Sequence, residues 1–426
     1  MKINFLISTL VIIFFLNCSP VKKVSTSQRS REPEDFSFMT NLFKQYPQFF
    51  DSIIVKKDEY RLQVIYTQID RGRNNRPKFT NHYFNVQPDQ YFYPASTIKL
   101  PIAILALQKL RELKIPKLDR NTTMITETAF SGQTAVYNDP ASEDGRPTIA
   151  NYIKKILLVS DNDASNRLYE FLGQEYINTT LHKMGFDDAQ ILHRLSIGMT
   201  EEENRNTNPI RFLDAEGKLI YEKPAETSRL DFDKRNTKLG KGYYTGGQVI
   251  NEPFDFSGKN RLTIETLHGL LKSIIFPEAI SRRQRFNLDK EDYNFLRKYM
   301  SMYSTESKYP SYNLPGYWDT YVKFLFYGSE KQKAEPHIRI FNKVGDAYGF
   351  LTDIAYIVDY NNNIEFLLSA TIHCNRDGIY NDDKYEYETI GLPFMKNLGR
   401  IIYEQELKRS RKYKPDLSTS RPDYNN

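Results

Sequence analysis

The sequence predicts an α/β protein of the α+β kind, with one antiparallel sheet, flanking terminal helices and an inserted all-helical domain. Three observations carry this expectation. Two runs near the start, 61–69 and 79–86, alternate and are rich in β-branched and aromatic residues. Three more, 337–343, 351–360 and 364–372, lie near the other end. The strongly apolar segments between these groups have helical spacing instead.

In chain order, Lys2 precedes an apolar run from Ile3 to Leu16 that is too short to span a bilayer comfortably. Asn17-Cys18-Ser19-Pro20 follows, so residues 1–18 resemble a bacterial lipoprotein signal with Cys18 as the lipid-bearing residue. Asn17 stands where that pattern wants a small residue, and an ordinary cleaved signal is the alternative. On the first reading the protein is exported and held to the membrane of the cell envelope by an N-terminal lipid anchor. Residues 19–35, polar and basic with Pro20 and Pro33, read as a tether.

Residues 36–93 make the first part of the α/β domain. One helix is expected from Asp35 to about Ile54, from the spacing of Phe38, Met39, Leu42, Phe43, Tyr46 and Phe49. A hairpin follows, its long turn at Asp70–Lys78. Residues 94–336 form the helical domain. Its central helix, 96–113, is apolar on most faces and so should be buried, with Pro101 as a local conflict near its start. Further helices are expected at 149–158, at 164–172 with Gly173 as its stop, at 262–275 and at 288–302. Residues 199–260, polar and punctuated by glycine, read as a large surface insertion, and 303–336 as a Tyr-rich irregular stretch. Residues 337–408 complete the α/β domain and close with a helix at 395–407, leaving 409–426 as a loose charged tail.

Composition narrows the function. Of 426 residues 40% are hydrophobic, enough for a real core, and the net charge of +6 is spread along the chain. No long basic block or basic–aromatic comb occurs, which argues against nucleic acid as a partner. Only Cys18 and Cys374 are present, so there is no internal disulfide framework, and Cys374 in its apolar run reads as a buried structural thiol. His182, His193, His337 and His373 lack zinc-ligand spacing, and no glycine-rich phosphate loop is present, so neither metal nor cofactor is expected.

Chemistry concentrates in three short motifs. Ser96 and Lys99 lie three apart at the start of the central helix, where positions i and i+3 share a face. A serine whose proton is taken by a neighbouring base is a nucleophile, and a helix N-terminus favours its alkoxide. Ser-x-x-Lys alone is weak, since Ser19 and Lys22 repeat it in the tether. Ser96 differs in its aromatic approach, Tyr91-Phe92-Tyr93-Pro94-Ala95, and in two downstream partners. These are Ser160-Asp161-Asn162 just before a helix, and Lys343-Val344-Gly345 at the end of an apolar strand.

The set resembles the class A β-lactamase and penicillin-binding superfamily of serine hydrolases, over roughly residues 50–200 and 260–405. The resemblance implies a serine β-lactamase-like fold and a covalent acyl-enzyme. Ser96 would attack the acyl carbonyl, and Lys99, between buried groups and a second ammonium, would be its base. Ser160 would relay a proton to the leaving nitrogen. Asn162 would hold the substrate amide, and Lys343, with Gly345, would meet the substrate carboxylate. The backbone N–H groups of Ser96 and Asp346 would form the oxyanion hole.

Two departures bear on turnover. Val344 replaces the hydroxyl usual between Lys and Gly, removing one hydrogen bond to a substrate carboxylate. Where the family has a Glu soon after an Arg to activate the deacylating water, Arg194 is followed by Leu195-Ser196. Glu252, in Asn251-Glu252-Pro253, is the candidate substitute, with Glu201, Glu202 and Glu203 as alternatives; each can equally be a solvated surface carboxylate. The leading expectation is β-lactam amide hydrolysis through acylated Ser96. The alternatives are a penicillin-binding D,D-peptidase acting on peptidoglycan peptides, and a non-catalytic envelope lipoprotein using the fold for binding.

Overall fold

The computed structural model describes residues 34–35, 37–418 and 421–424, so the expected signal at 1–18, with Cys18, and nearly all of the expected tether lie outside the described residues. Its main sheet draws strands from both ends of the chain. The order is Glu34–Asp35, Pro77–Phe84, Gln63–Arg71, Ile364–His373, Phe350–Asp359 and Ile338–Ala347, and every pair after the first is antiparallel. The seam between the ends runs Gln63–Gln68 against Phe366–Thr371. The strand carrying Lys343 is therefore an edge strand, with one row of backbone groups turned away from the sheet.

Strands Phe350–Asp359 and Ile364–His373 are buried almost throughout, because both faces of the sheet are covered. The two-residue period divides them between two cores. Ile65, Ile354, Tyr356 and Val358 join the core that includes the central helix. Val64, Tyr66, Ala355 and Ile357 pack against the terminal helices Ser37–Gln45, Pro47–Ile54 and Leu392–Lys408. The single first helix expected is thus two, because Pro47 has no N–H to continue a helix yet suits the first turn of the next.

The central helix, Lys99–Leu113, is buried on nearly every side, as its sequence requires. Pro101 is no conflict, since it falls in the first turn, where backbone N–H groups have no intrahelical partner anyway. Helices Ile149–Val159 and Asn162–Leu172 pack against it.

The middle of the chain is not all-helical, and 199–260 is not wholly superficial. Ile210–Leu213 pairs with Thr123–Thr126 and Leu219–Lys223 in a small sheet, and Ile210, Phe212 and Phe256 are fully buried. Gly242–Thr245 pairs with Gln248–Ile250 and, in parallel, with Ile379–Tyr380. Strands this short carry too little alternation to stand out among charged neighbours. The tail expected to be loose is also held. Leu417 is buried, Arg409 pairs with Asp70, and Asn75 Nδ2 donates to the Asp416 carbonyl at 2.8 Å. Tyr424 stacks under the Arg339 guanidinium and its hydroxyl lies 2.8 Å from Ser301 Oγ.

Candidate active site

A single 3₁₀ turn, Ala95–Ile98, feeds Ser96 into the central helix. Ala95 takes φ 45°, a conformation costly for a residue with a Cβ, and it turns the aromatic approach into the helix. In 3₁₀ winding i and i+3 eclipse, so Ser96 and Lys99 align on one side. Ser96 is half-buried and lines an open cavity of about 380 Å³, whereas Lys99 behind it has no exposed surface.

Ser160 is the C-cap of helix Ile149–Val159 and adopts the left-handed conformation, φ 62° and ψ 38°. Asp161 then caps the next helix, its side chain accepting from Ala164 N at 2.8 Å. This helix–cap–helix joint turns three groups toward Lys99. Its ammonium donates to the Ser160 carbonyl, to Asn162 Oδ1 at 2.7 Å and to Ser160 Oγ at 3.3 Å. From the other side Lys343 Nζ donates to Ser160 Oγ at 2.7 Å and to the Val344 carbonyl at 2.8 Å. The Ser160 hydroxyl is therefore clasped between two buried amines.

Two ammonium ions this close and this far from water cannot both be held cheaply. Burial pushes Lys99 down to about 7, against the opposing pull of Asp161 and Asp346. Burial, and then the charge of Lys99, push Lys343 well below the ordinary lysine value. The pair consequently supplies a neutral amine near neutral pH, which is what a base for a serine hydroxyl requires.

The Lys343 strand meets Ser96 through Gly345. A methyl group there would sit 2.7 Å from the Pro94 carbonyl oxygen and 2.9 Å from the amide nitrogens of Ser96 and Thr97. Only glycine lets the strand approach the nucleophile so closely. The strand then turns at Tyr348 (φ 55°) and Gly349 (φ 78°), a two-residue type I′ turn flanked by the pair Ala347–Phe350. Ladder bonds alternate from that pair, so Asp346 aims its N–H outward from the sheet edge, on the Ser96 side. The N–H groups of Ser96 and Asp346 can thus converge on one oxygen.

Asn162 Nδ2 donates to Ser196 Oγ at 2.8 Å across the cavity. Ser196 has φ 56° and is held in place by its neighbours. The backbone of Leu195 exchanges two 3.0 Å hydrogen bonds with the Asn166 side chain. Arg194 is locked to buried Glu170, with its Nη2 donating to Glu170 Oε2 at 2.8 Å. His193 is neutral in its buried place, pushed down to about 4; its Nδ1–H donates to the Arg194 carbonyl and its Nε2 accepts from Asn260 N.

Ser96, Lys99, Ser160, Asn162, Lys343, Gly345 and Asp346 are thus brought together. Glu252 is not: it is exposed between strands Gln248–Ile250 and Phe254–Asp255 and is absent from the cavity lining. Phe254 takes the inward position there, packing on Tyr348 and Phe256, and leaves Glu252 to solvent. Glu201 pairs with Arg205 and Glu203 closes a capping box with Thr200, and none of Glu201, Glu202 and Glu203 lines the cavity. Cys374 is buried, and burial pushes its thiol up.

Sequence reading missed a polar support beneath the site. Fully buried Lys323 donates to the Met300 and Ile340 carbonyls and to Asn342 Oδ1, at 2.7, 2.9 and 2.8 Å. Asn342 Nδ2 donates in turn to Asp353 Oδ1 at 2.9 Å. The only local trace of this network is a polar Asn342 beside Lys343 in the middle of strand Ile338–Ala347. It missed as well the aromatic wall of Tyr348, Tyr385 and Tyr387, since nothing near these tyrosines marks them out from the other 27 of the 30 in the chain.

A serine at a helix start, backed by two buried lysines and facing an edge strand, stands here on a serine hydrolase fold. The chain belongs to the Beta-lactamase enzyme family, whose profile matches residues 50–405. Similar solved structures include a β-lactamase from Xanthomonas campestris, at 12% identity over 83% of this chain and 97% of that one, with a TM-score of 0.45. The structure of PBP-A is similar at 18% identity, covering 89% of this chain and 98% of that one, TM-score 0.46. A class A β-lactamase from Clostridium kluyveri is 15% identical over 85% and 98% of the two chains, TM-score 0.44. No curated protein matches the sequence significantly.

Proposed function

We propose that this protein is an active-site-serine acyl hydrolase acylated at Ser96 by β-lactams and by the peptides they mimic. The observation that carries the reading is the Ser160 hydroxyl, 2.7 Å from Lys343 Nζ and 3.3 Å from Lys99 Nζ, in the joint beside Ser96. Neutral Lys99 takes the Ser96 proton as Oγ attacks the acyl carbon. The developing oxyanion is met by the N–H groups of Ser96 and Asp346. Ser160, supplied with a proton by Lys343 or Lys99, passes it to the leaving nitrogen.

Release of the acyl group is the slow half of the cycle in this reading. Ser196 stands where a deacylating carboxylate is expected, and neither Glu252 nor Glu201–Glu203 faces the cavity. That supports a penicillin-binding peptidase that β-lactams trap. Turnover of β-lactams is the second reading, favoured by Lys99, which near pH 7 can also take a proton from water. Export to the cell envelope on a Cys18 lipid is part of the proposal and rests on residues 2–18 alone.

The test is incubation with a chromogenic cephalosporin and, separately, a fluorescent penicillin, with Ser96→Ala as control. A stable Ser96-dependent label without turnover is the expected result, and rapid turnover would favour the β-lactamase. Neither label nor turnover would sink the acyl-enzyme mechanism.

A further inference from the structure

The cavity in front of Ser96 has an unusual charge. Among the described residues that line it none is Lys, Arg or His, and its charged members are Asp346 and Asp383. Lys99 and Lys343 lie behind the wall with their donors already committed to Ser160, Asn162 and the Val344 carbonyl. Both residues are exposed. Burial pushes the Asp346 carboxyl up, against the pull of Lys343 and Lys99 behind it, and among the described residues neither carboxylate forms a salt bridge to a basic side chain. Around them stand four tyrosines. Tyr93 and Tyr348 meet edge-on at 5.0 Å between centroids, and Tyr385 and Tyr387 lie 5.6 Å apart.

Two of these rings are pinned by their hydroxyls, and Tyr348 already has Lys259 Nζ 5.9 Å from its centroid. Tyr387 Oη accepts from Gly349 N and Tyr385 Oη from Asn381 N, each at 2.8 Å. Rigid aromatic faces with adjacent carboxylates attract an ammonium group through the ring quadrupole and through charge, and repel a carboxylate.

Position along the strand says which part of a substrate meets this wall. Ser160, the donor to the leaving group, is bound to Lys343, and the strand runs from there through Asp346 to the turn at Tyr348. The leaving group therefore lies at the Lys343 end and the acyl portion at the tyrosine end. Resting on the acyl-enzyme mechanism proposed above, we infer that the site selects acyl donors bearing an ammonium group on the acyl portion, which Asp346, Asp383 and the tyrosine wall receive.

The test uses three penicillins whose phenylacetyl side chain carries an ammonium group, a hydrogen or a carboxylate at the same carbon. Rates of Ser96 acylation are read by intact-protein mass at pH 7. Ammonium should exceed carboxylate by about tenfold or more, and Asp383→Asn and Asp346→Asn should each narrow that ratio. Matched peptides ending in D-Ala-D-Ala, with Lys, Nε-acetyl-Lys or Glu preceding them, show whether peptide donors follow the same order. Calorimetric binding of both series to Ser96→Ala reads charge preference without chemistry. A flat or reversed order in acylation and binding overturns the inference while leaving the mechanism intact. The same holds for a ratio unchanged in the double Asp variant. Failure of every donor to acylate, with the binding order preserved, overturns the mechanism and upholds the charge preference.

Discussion

Replacing Gly345 by alanine isolates the one contact that aligns the edge strand with the nucleophile. The added methyl would lie 2.7 Å from the Pro94 carbonyl oxygen and 2.9 Å from the Ser96 and Thr97 nitrogens. All three are backbone atoms flanking the strained residue Ala95, so no flexible side chain can yield. Restoring ordinary contact needs a separation of about half an ångström to one ångström, borne by the strand or by the Ser96 turn. Overpacking of this kind costs about 1–3 kcal/mol. The catalytic loss should be larger in proportion, because the same movement parts the N–H groups of Ser96 and Asp346. Misplacement by about 1 Å, or loss of one oxyanion donor, typically costs about 10²-fold in rate. The expectation is a Gly345→Ala protein that folds, melts a few degrees lower, and labels with fluorescent penicillin about a hundredfold more slowly. Labelling within about threefold of wild type would refute the convergence of the two N–H groups.

Four further outcomes follow from the site. Acylation should rise with pH through a midpoint near 7, as Lys99 loses its proton, and Lys99→Met should abolish the rise along with the reaction. Lys99 and Lys323 are both held near 7 when folded against an ordinary value of 10.5, so between those limits the unfolded chain binds more protons. Their contribution to stability must therefore increase with pH over that window, and urea midpoints at pH 7 and 9 check the sign. Lys323→Met strands two buried carbonyls and Asn342 Oδ1, and should destabilise the protein by about 3 kcal/mol in urea unfolding. Ser196→Glu puts a carboxylate opposite Asn162 and should shorten the lifetime of penicilloyl-Ser96 by at least about tenfold; an unchanged lifetime would show that the missing base is not what limits release.

The five main strands were legible because alternation and length are local properties, and so was the buried helix that follows Ser96. The three motifs of the candidate site were legible for a related reason. Each motif sits at a junction that its own residues create: a 3₁₀ turn before an apolar helix, a left-handed cap between two helices, a glycine in an edge strand. Glu252 shows where such reading fails. A Glu-Pro pair before a helix suggests a catalytic loop, yet Phe254 beside it decides which way the segment faces.

By itself, then, the sequence determined the five main strands, the buried central helix and the candidate residues Ser96, Lys99, Ser160, Asn162 and Lys343. What only the tertiary structure decided is the environment those residues share. Burial behind Ser96 pushes Lys99 from the ordinary lysine range down to about 7. The locking of Arg194 on Glu170 and of Leu195 on Asn166 sets Ser196 against Asn162. The closing turn of 381–387 brings Asp383 and two tyrosines to the mouth of the site. Desolvation and charge pairing depend on neighbours that are distant in the chain, so no local pattern of residues can encode them legibly.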